Sequence, residues 1–520
     1  MNEIEMNKDL ERQHKANIWV PSIADILFLS VFLYLSFSAG RGLLADCDTG
    51  YHIRTGEYIL KTGSIPKYDI FSFITPAIPW TAHEWLSEVI MALVHRSFGL
   101  TGVVIFFSFV ISLTYYVLFR VARTYKGNIL AAAMVVVFVI AASQIHWLAR
   151  PHIFSLLLTV IWYSLLDSYQ YNDRNYLNFL PAIMLLWVNL HGGFIIAFVL
   201  IGIYLAGNLA RFLTSNDLKD KTECRRKVRL LGLISGACLL ISLINPQGYH
   251  ILLFPFKLTS SKFIMDNVSE FVSPNFHEPM AFTYLLFIMI AILALSGKRL
   301  NIIELALTMI FTYMALYSAR YIPLFGIILA PILIRQADHL LDGFHGRLGD
   351  FFRRRAERTI SIDTMSKGYL WPLVAMAAVF FCAATGRVEY SFDAEIKPVA
   401  AVEFLKKEHI EGNVFNNDEF GDYIIYASWP EYRVFFDGRS DMYGVERMKE
   451  YFAVSRMEPG WEDILKKYEI KWIIYNADSI FSRFLFATDS WKLIYSDKVA
   501  NIFMRDIPED RELIEKSIQK

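Results

Sequence analysis

Acidic and histidine side chains gather in a polar stretch that interrupts an otherwise apolar sequence. Asp46 and Asp48 open this stretch, His52 follows four residues after Asp48, and His83 and Glu84 are adjacent farther along. A carboxylate near a membrane surface is partly desolvated, which raises its pKa and makes it a usable general base. We therefore predict that Asp48 or Asp46 is the catalytic base and that the other three residues bind substrate.

Similar side chains recur in the short turns that separate later apolar segments. These residues are Arg150, His152, His191, Asn245 and Arg320. A guanidinium can hold a phosphate or pyrophosphate through two parallel hydrogen bonds. Because short turns close one end of a helix bundle, we predict that Arg150, His191 and Arg320 converge on one cavity. His152, Asn245 and Arg54 of the first polar stretch are also predicted to bind substrate.

Each of these residues also has a structural interpretation. Asp46 and Asp48 could cap the helix that follows them. Arg150 and Arg320 could extend along apolar surface toward lipid headgroups, and His191, which precedes two glycines, could cap a tight turn. These alternatives stay open at the level of sequence.

A divalent cation is a further alternative for part of this set. Asp46, Asp48, His83 and Glu84 offer the oxygen and nitrogen ligands that such ions accept. His83 and Glu84 also begin a zinc-protease motif, but Ser87 stands where the second histidine of that motif is required. A metalloprotease is therefore excluded, and a bound cation is left open.

The elements that must position these residues are membrane helices. The chain has 520 residues, 55% hydrophobic and 20% charged, and its mean hydropathy of +0.35 is too apolar for an ordinary soluble domain. Apolar runs predict an all-α polytopic membrane bundle of about eleven transmembrane helices. They lie at 22–44, 101–120, 128–148, 152–169, 177–190, 193–213, 230–245, 281–297, 301–317, 321–336 and 369–385.

Basic residues orient the bundle. With a cytoplasmic N-terminal tail (residues 1–21), the inner loops hold most of the Lys and Arg, including Lys126 and the run 224–229, as the positive-inside rule requires. We therefore predict a cytoplasmic (inner) membrane protein whose polar loop 45–100, the first outer loop, faces outward. Residues 84–98 are predicted as an interfacial helix, because another span would invert every later loop.

The sequence changes character after the last apolar run. Residues 22–385 are predicted to form the transmembrane part, and residues 386–520 a separate extracytoplasmic α/β domain, because short β-like runs alternate there with helical stretches. The β-like runs are NVFNN (413), YRVFFDG (432), KWIIYNA (471), KLIYSD (492) and NIFMR (501), and the helical stretches are 398–408, 420–428 and 445–468. A salt-bridged turn around Asp437 and Arg439 is preferred to a binding loop.

Several classes of site are missing from the sequence. It contains no Gly-rich phosphate loop, nucleophile elbow or dinucleotide fingerprint where a fold could use one. Nothing in the inner loops is typical of a nucleotide-binding domain, and nothing predicts a nucleic-acid partner. If the protein transfers a sugar, the donor is therefore expected to be attached to a lipid.

The arrangement resembles the integral-membrane GT-C glycosyltransferases, which include protein O-mannosyltransferases, aminoarabinose transferases of lipid A and Rgt-like transferases. In that superfamily an acidic motif opens the first outer loop and a surface helix follows. Asp48, His52 and the pair Thr62-Gly63 fall near the corresponding positions. Thr49 stands where a second acid is usual, so the base could be Asp48 or Asp46, and HEWL at 83–86 replaces a KPPL-like motif.

The resemblance implies a function. The donor would be a polyprenyl-phosphate-linked sugar, and the acceptor a glycan, lipid or protein outside the cytoplasm. The reaction would be an inverting transfer, in which a carboxylate deprotonates the acceptor hydroxyl and an arginine stabilises the departing lipid phosphate. The C-terminal domain would cover the site or recruit the acceptor.

Two other classes of function remain as alternatives. A transporter or flippase of lipid-linked glycans would place ionisable groups near the middle of the membrane, where Glu304 is the main candidate and lies near the inner end of its span. A non-catalytic membrane scaffold with an outer binding domain would keep Asp46 and Asp48 apart from the arginines.

Overall fold

The computed structural model describes residues 17–124, 128–172, 174–343, 346–366 and 369–518. Most of the predicted cytoplasmic tail and the inner-loop residue Lys126 lie outside these ranges. The helices of the first part are α1 (Ile23–Tyr34), α2 (Asp48–Thr62), α3 (Trp85–Arg123), α4 (Ile129–Ser143), α5 (His152–Tyr171), α6 (Leu180–Leu190), α7 (Ile195–Thr214), α8 (Leu218–Ile241), α9 (His250–Ser260), α10 (Lys262–Asn267), α11 (Ala281–Leu295), α12 (Ile302–Tyr317), α13 (Ile322–Gly343), α14 (Arg347–Met365) and α15 (Leu370–Ala384).

Six helical segments of the described residues are long and apolar enough to cross a membrane. They are Ile23–Leu44, Trp85–Arg123, Ile129–His146, His152–Tyr171, Gly192–Thr214 and Ala319–Leu341. Shorter apolar helices occupy Leu177–Leu190, Ala281–Leu295, Ile302–Tyr317 and Leu370–Ala384. Together they coincide with every predicted span except 230–245, which forms the second half of α8. The helical bundle is thus confirmed, and the number of spans stays a prediction.

The helix predicted at 84–98 is the first part of α3. Gly99 has a φ of 62°, which breaks α3 and separates this segment from the helix that follows. Its backbone packs directly on α2, since a Cβ at Gly56 would lie only 2.0 Å from the carbonyl oxygen of Glu88. The segment is therefore part of the first outer loop, and its placement in the membrane interface stays a prediction.

Helix α2 forms where residues 50–61 place Ile53 and Ile59 on one face and Arg54 and Glu57 on another. It starts at Asp48 and ends where Gly63 takes a left-handed conformation, with φ at 67° and its N–H donating to the Ile59 carbonyl. Ile53 and Ile59 are buried. Both faces of α2 are covered by protein, because α3 packs on one side and the C-terminal part (residues 386–520) on the other.

The C-terminal part contains a small mixed sheet flanked by helices, which is the predicted α/β architecture. Its elements are α16 (Val399–Glu408), β1 (Asn413–Asn416), α17 (Asp418–Ser428), α18 (Ser440–Ser455), α19 (Trp461–Lys467), β2 (Ile470–Asn476), α20 (Ile480–Phe486), β3 (Trp491–Ser496), β4 (Ala500–Arg505) and α21 (Arg511–Ile518). The strand order is β1-β2-β4-β3, with β1 parallel to β2 and the other pairs antiparallel.

One strand prediction is wrong, and one predicted helical stretch is divided into two helices. The run YRVFFDG does not join the sheet: Val434 pairs instead with the first outer loop, donating to the Phe71 carbonyl at 3.1 Å and accepting from Phe73 at 3.4 Å. The helical stretch 445–468 is divided into α18 and α19 because Met457 and Gly460 take positive φ values. An alternating pattern indicates that a segment is extended, but it does not identify the segment with which it pairs.

The first outer loop and the C-terminal part share one continuous apolar core. The Trp429 indole donates to the Ile70 carbonyl at 3.0 Å. A Cβ at Gly50 would lie 2.7 Å from the Cβ of Tyr426, so α2 and α17 approach closely. The first outer loop is consequently enclosed between the membrane helices and the C-terminal part.

Candidate functional site

Arg150 lies at the centre of a group of carboxylates, here called the Arg150 cluster (Arg150, Asp46, Asp48 and Glu270). Its Nη1 lies 2.6 Å from Asp46 Oδ2 and also contacts Glu270, while its Nη2 lies 2.7 Å from Asp48 Oδ2. Burial alone would lower the pKa of Arg150, but Asp48, Glu270 and Asp46 raise it well above its usual value. The cluster therefore holds a permanently charged guanidinium among three acids.

Local backbone contacts hold the two aspartates in place. The N–H of Asp48 donates to Asp46 Oδ1 at 2.8 Å, so Asp46 caps the start of α2 in addition to binding Arg150. Thr49 donates to the carbonyl of Ala149 at 3.1 Å, and the N–H of Ala149 donates to the Leu43 carbonyl at 2.8 Å. These bonds fix the turn that carries Arg150 against the start of the first outer loop.

A carboxyl group from the C-terminal part joins this cluster. The side chain of Asp422, on α17, lies beside Asp48 at Gly438, where an added Cβ would be 3.1 Å from Asp422 Oδ2 and 2.1 Å from Asp48 Oδ1. The N–H of Gly438 donates to both Asp422 oxygens at 3.1 and 3.2 Å. Burial raises the pKa of Asp48 although Arg150 opposes it, and burial together with Asp48 raises the pKa of Asp422. Sequence reasoning missed Asp422, as it missed Glu270.

Glu84 is surrounded by three histidines, which together form the Glu84 cluster (Glu84, His52, His83 and His191). Its Oε1 lies 3.4 Å from His191 Nε2 and 3.7 Å from His83 Nε2, and its Oε2 lies 3.8 Å from His52 Nε2. Burial raises the pKa of Glu84, with His83, Arg150 and Arg320 acting in the opposite direction. The influence of both arginines shows that this cluster adjoins the Arg150 cluster.

The orientation of His191 follows from its hydrogen bonds. Its Nδ1 accepts the N–H of Gly193 at 2.9 Å and contacts the Ser155 hydroxyl at 2.7 Å, which itself accepts the Trp187 indole N–H at 2.7 Å. Burial lowers the pKa of His191 and keeps the ring neutral. Because Nδ1 accepts, the single ring proton lies on Nε2, which faces Glu84.

Arg320 contacts the Arg150 cluster, and His52 makes a second contact within the Glu84 cluster. Arg320 Nη1 lies 3.6 Å from Glu270 Oε2, and its guanidinium lies 5.5 Å from the centre of the Phe271 ring. His52 contacts Glu88 through Nδ1 at 3.2 Å as well as Glu84. Glu88, one helical turn after Glu84, was not among the predicted catalytic or substrate-binding residues.

Three predicted residues make structural contacts instead. Arg54 donates to the Tyr426 carbonyl through Nε at 2.7 Å, which ties α2 to α17. His152 bonds through Nε2 to the His146 carbonyl at 2.9 Å. Asn245 donates to the carbonyls of Ser242 at 2.7 Å and Gly248 at 2.9 Å, which closes its own turn. These contacts give the three side chains a structural role, and their part in substrate binding stays a prediction.

The four residues considered for a divalent cation do not form a site. Among the described residues, no group of three or more His, Cys, Asp or Glu could hold a metal ion. Asp46 and Asp48 are both bonded to Arg150, whose positive charge takes the place of a cation. His83 and Glu84 belong to the neighbouring cluster.

A buried ion pair holds the C-terminal part against the site. Arg439 binds Asp437 through Nε at 2.8 Å and Asp69 of the first outer loop through Nη2 at 2.8 Å, and its guanidinium lies 4.6 Å from the centre of the Trp80 ring. Tyr443 donates to Asp437 at 2.8 Å. The salt-bridged turn predicted here is thus confirmed, and it fixes the backbone beside Asp48.

An apolar groove of about 640 Å³ adjoins the Glu84 cluster. Trp85, the residue after Glu84, lines it and donates its indole N–H to Asn189 at 2.7 Å. The remaining lining residues are mostly aliphatic and come from the loop after α2, from α3 and α6, and from the turn after α8: Ile65, Leu86, Ala182, Leu185, Leu186, Leu243, Ile244, Asn245 and Pro246.

Comparison with known proteins identifies the fold. No family model matches the sequence, and no curated protein is significantly similar to it. The oligosaccharyltransferase of Archaeoglobus fulgidus in its apo form matches with a TM-score of 0.56 at 12% identity, covering 93% of this chain and 74% of that one.

Two further solved structures were compared. The archaeal oligosaccharyltransferase AglB from Archaeoglobus fulgidus, in complex with an inhibitory peptide and a dolichol-phosphate, gives a TM-score of 0.54 at 11% identity over 93% and 74% of the two chains. ArnT from Cupriavidus metallidurans, bound to undecaprenyl phosphate, gives 0.47 at 13% identity over 92% and 97%, a score from which we draw no argument. The chain has a GT-C-like fold, as its sequence predicts.

Proposed function

We propose that this protein is a membrane glycosyltransferase that transfers a sugar from a polyprenyl-phosphate-linked donor to an acceptor outside the cytoplasm. The observation that carries the proposal is the buried Asp48 carboxylate, 2.7 Å from Arg150, in a polar site beside an apolar groove. The GT-C-like fold supports it, because AglB, which shares that fold, was solved with a dolichol-phosphate.

Asp48 is the better base of the two aspartates. Asp46 caps α2 and binds Arg150, and its side chain is 27% exposed, whereas that of Asp48 is only 8% exposed. Burial raises the pKa of Asp48, and a general base becomes more effective as its pKa approaches the working pH. Asp48 takes the proton of the acceptor hydroxyl, the acceptor oxygen bonds to the anomeric carbon, and the bond from that carbon to the lipid phosphate breaks.

Arg320 is the better candidate to stabilise the departing phosphate. Arg150 already contacts three carboxylates, which leaves it little capacity for another anion. Among the described residues, Arg320 has one carboxylate partner, Glu270, at 3.6 Å. A guanidinium with free N–H donors can form charge-assisted hydrogen bonds to phosphate oxygens. We assign Arg150 to holding the acids in place.

The groove beside the Glu84 cluster fits the hydrocarbon chain of the donor. Its lining is mostly aliphatic, and Trp85 connects it in sequence to Glu84. A polyprenyl chain in the groove would leave its phosphate and sugar next to the polar clusters. Glu84, His83 and His191 would then supply hydrogen-bond donors and acceptors for the sugar hydroxyls.

The buried charges that could favour the transporter alternative pair with one another. Arg335 contacts Glu304 at 3.0 Å and Asp167 at 3.4 Å, and Tyr204 donates to Asp167 at 2.9 Å. The sequence pointed only to Glu304. Because these charges pair with one another, the cluster joins α5, α7, α12 and α13, and we assign it a structural role.

Transfer by purified protein in lipid vesicles tests the proposal. Vesicles would contain a radiolabelled polyprenyl-phosphate sugar and an extract of envelope acceptors, and the lipid that co-purifies with the protein would guide the choice of sugar. We expect Asp48→Asn to abolish transfer while expression and unfolding temperature stay unchanged, since the isosteric amide cannot accept the proton. Equal activity of the wild type, Asp48→Asn and Asp46→Asn would refute the assignment.

A further inference from the structure

We propose that Asp422 is a positioning residue of the catalytic site, a neutral carboxylic acid of the C-terminal part that donates a hydrogen bond to Asp48. The inference rests on the proposed function, since it concerns the same base. It gives the C-terminal part a direct place in the site, where the sequence suggested only a cover or an acceptor-binding domain.

The first step is the contact between two carboxyl groups. Both carboxyls lie against Gly438, where an added Cβ would be 2.1 Å from Asp48 Oδ1 and 3.1 Å from Asp422 Oδ2, and both are buried, with 6% and 2% of the residue exposed. Two ionised carboxylates offer only acceptors, so a hydrogen bond between them requires one proton. Like charges at this distance also cannot both remain ionised in a buried site. One of the two residues is therefore neutral.

The surroundings show which residue holds the proton. Asp48 lies 2.7 Å from the Arg150 guanidinium and occupies the first residue of α2, where the helix dipole also favours a negative charge. Among the described residues, no Lys or Arg forms an ion pair with Asp422. The charged groups that act on Asp422 are Asp48, Asp437 and Asp46, all of them acids. The proton is on Asp422.

The backbone beside the pair is built to hold it. A Cβ at Gly438 would lie 2.1 Å from Asp48 Oδ1 and 3.1 Å from Asp422 Oδ2, so only glycine lets the two carboxyls meet there. The N–H of Gly438 donates to Asp422. Arg439, the next residue, is fixed by its ion pairs with Asp437 and Asp69.

This arrangement suits a base that must keep one full negative charge. The Asp422 proton stays in its hydrogen bond during the reaction, while Asp48 takes the proton of the acceptor. A neutral partner avoids a second negative charge beside the base and restricts the rotation of the Asp48 carboxylate. Without Asp422, Asp48 would be held by Arg150 from one side only.

We expect different transfer activities from the two substitutions at Asp422. Asparagine can donate its N–H to Asp48 and accept from Gly438, so Asp422→Asn should retain most of the transfer activity. Asp422→Ala should lose about 100-fold in kcat, the scale expected when a reacting group is misplaced by about 1 Å. Wild-type activity of the alanine variant, or equal loss in both variants with intact unfolding temperatures, would overturn the proposal.

Infrared spectroscopy gives a measurement that does not depend on transfer. The full-length protein in lipid nanodiscs at neutral pH should show the carbonyl stretch of a protonated carboxylic acid, and Asp422→Asn should remove part of this band. Glu403→Gln, at an exposed position on α16, is the control and should leave it unchanged. A band that is identical in the wild type and Asp422→Asn contradicts the proposal. If the wild type transfers no sugar, the proposed function fails while the infrared result still decides the state of Asp422.

Discussion

Arg150 Nη2 lies 2.7 Å from Asp48 Oδ2, and this contact connects the turn before α5 to the start of α2. The same guanidinium binds Asp46 and Glu270. One cation thus holds together the start of the first outer loop, the turn at 149–151 and the segment before α11. The stability of the site and its chemistry both depend on this residue.

Arg150→Ala should destabilise the protein by about 3–5 kcal/mol, the cost of leaving buried charges without their partner. Arg150→Lys should recover only part of this, since an ammonium cannot bind several carboxylates with fixed geometry. Thermal unfolding in detergent measures both. Arg211→Ala is the control, because Arg211 pairs with Asp220 at the surface with 59% of its side chain exposed, where a pair contributes about 0–1 kcal/mol. Similar losses at Arg150 and Arg211 would contradict the central role of Arg150.

Glu270 should make the free energy of unfolding depend on pH in the acid range. Burial opposes its ionisation, but Arg150 and Arg320 outweigh burial and lower its pKa from 4.5 to about 2. A carboxyl with a lowered folded-state pKa stabilises the protein above its unfolded pKa, and this stability is lost as the pH falls from about 4.5 to about 2. The shift corresponds to about 3 kcal/mol. Glu270→Gln should flatten the unfolding profile in this window, and an unchanged profile would exclude this role.

Gly438→Ala should impair the base without unfolding the protein. The added methyl group would lie 2.1 Å from Asp48 Oδ1, so the carboxylate must move, and we expect transfer to fall by about 100-fold. Gly236→Ala on α8 is the matched control, because no heavy atom of the described residues outside its local helix lies within 4 Å of the added Cβ. Full activity of Gly438→Ala would show that the position of Asp48 is not critical.

The groove should determine how much lipid the protein carries. Leu186→Trp would fill part of the 640 Å³ space and should reduce the polyprenyl phosphate that co-purifies, as measured by mass spectrometry. Leu240→Trp, on the exposed side of α8 with 69% of the residue accessible, should leave the amount unchanged. Lipid content that is equal in both variants would place the hydrocarbon chain elsewhere.

The sequence was a good guide wherever the signal is local. Apolar run length locates the membrane helices, and the amphipathic pattern at 50–61 locates α2. Asp48, His52 and Glu84 could be identified because acids and histidines are unusual so close to apolar runs. Val434 was misplaced because its pattern is shared by any extended segment, and its partner Ser72 lies far away in the sequence.

Asp422 and Glu270 could not be identified from the sequence, because only tertiary packing brings them to the site. Asp422 follows an ordinary amphipathic pattern on α17, and only the approach of α17 to α2 brings it to Asp48. Glu270 lies in a short helical turn whose sequence carries no motif. Arg54 and Asn245 were assigned to substrate by residue type, although one docks α17 and the other closes a turn. The sequence alone does not show which distant residue forms the hydrogen bonds of a polar side chain.

The contact between Asp48 and Asp422 also sets an order of events during biosynthesis. Asp48 enters the membrane region with the first helices, whereas α17 is made only after all the membrane helices. Chains fold from the N-terminus as they are synthesised, so Asp48 remains without Asp422 until the C-terminal part has been made and has docked. A nascent or truncated chain would therefore carry Asp48 and Arg150 without the carboxyl group that completes their surroundings.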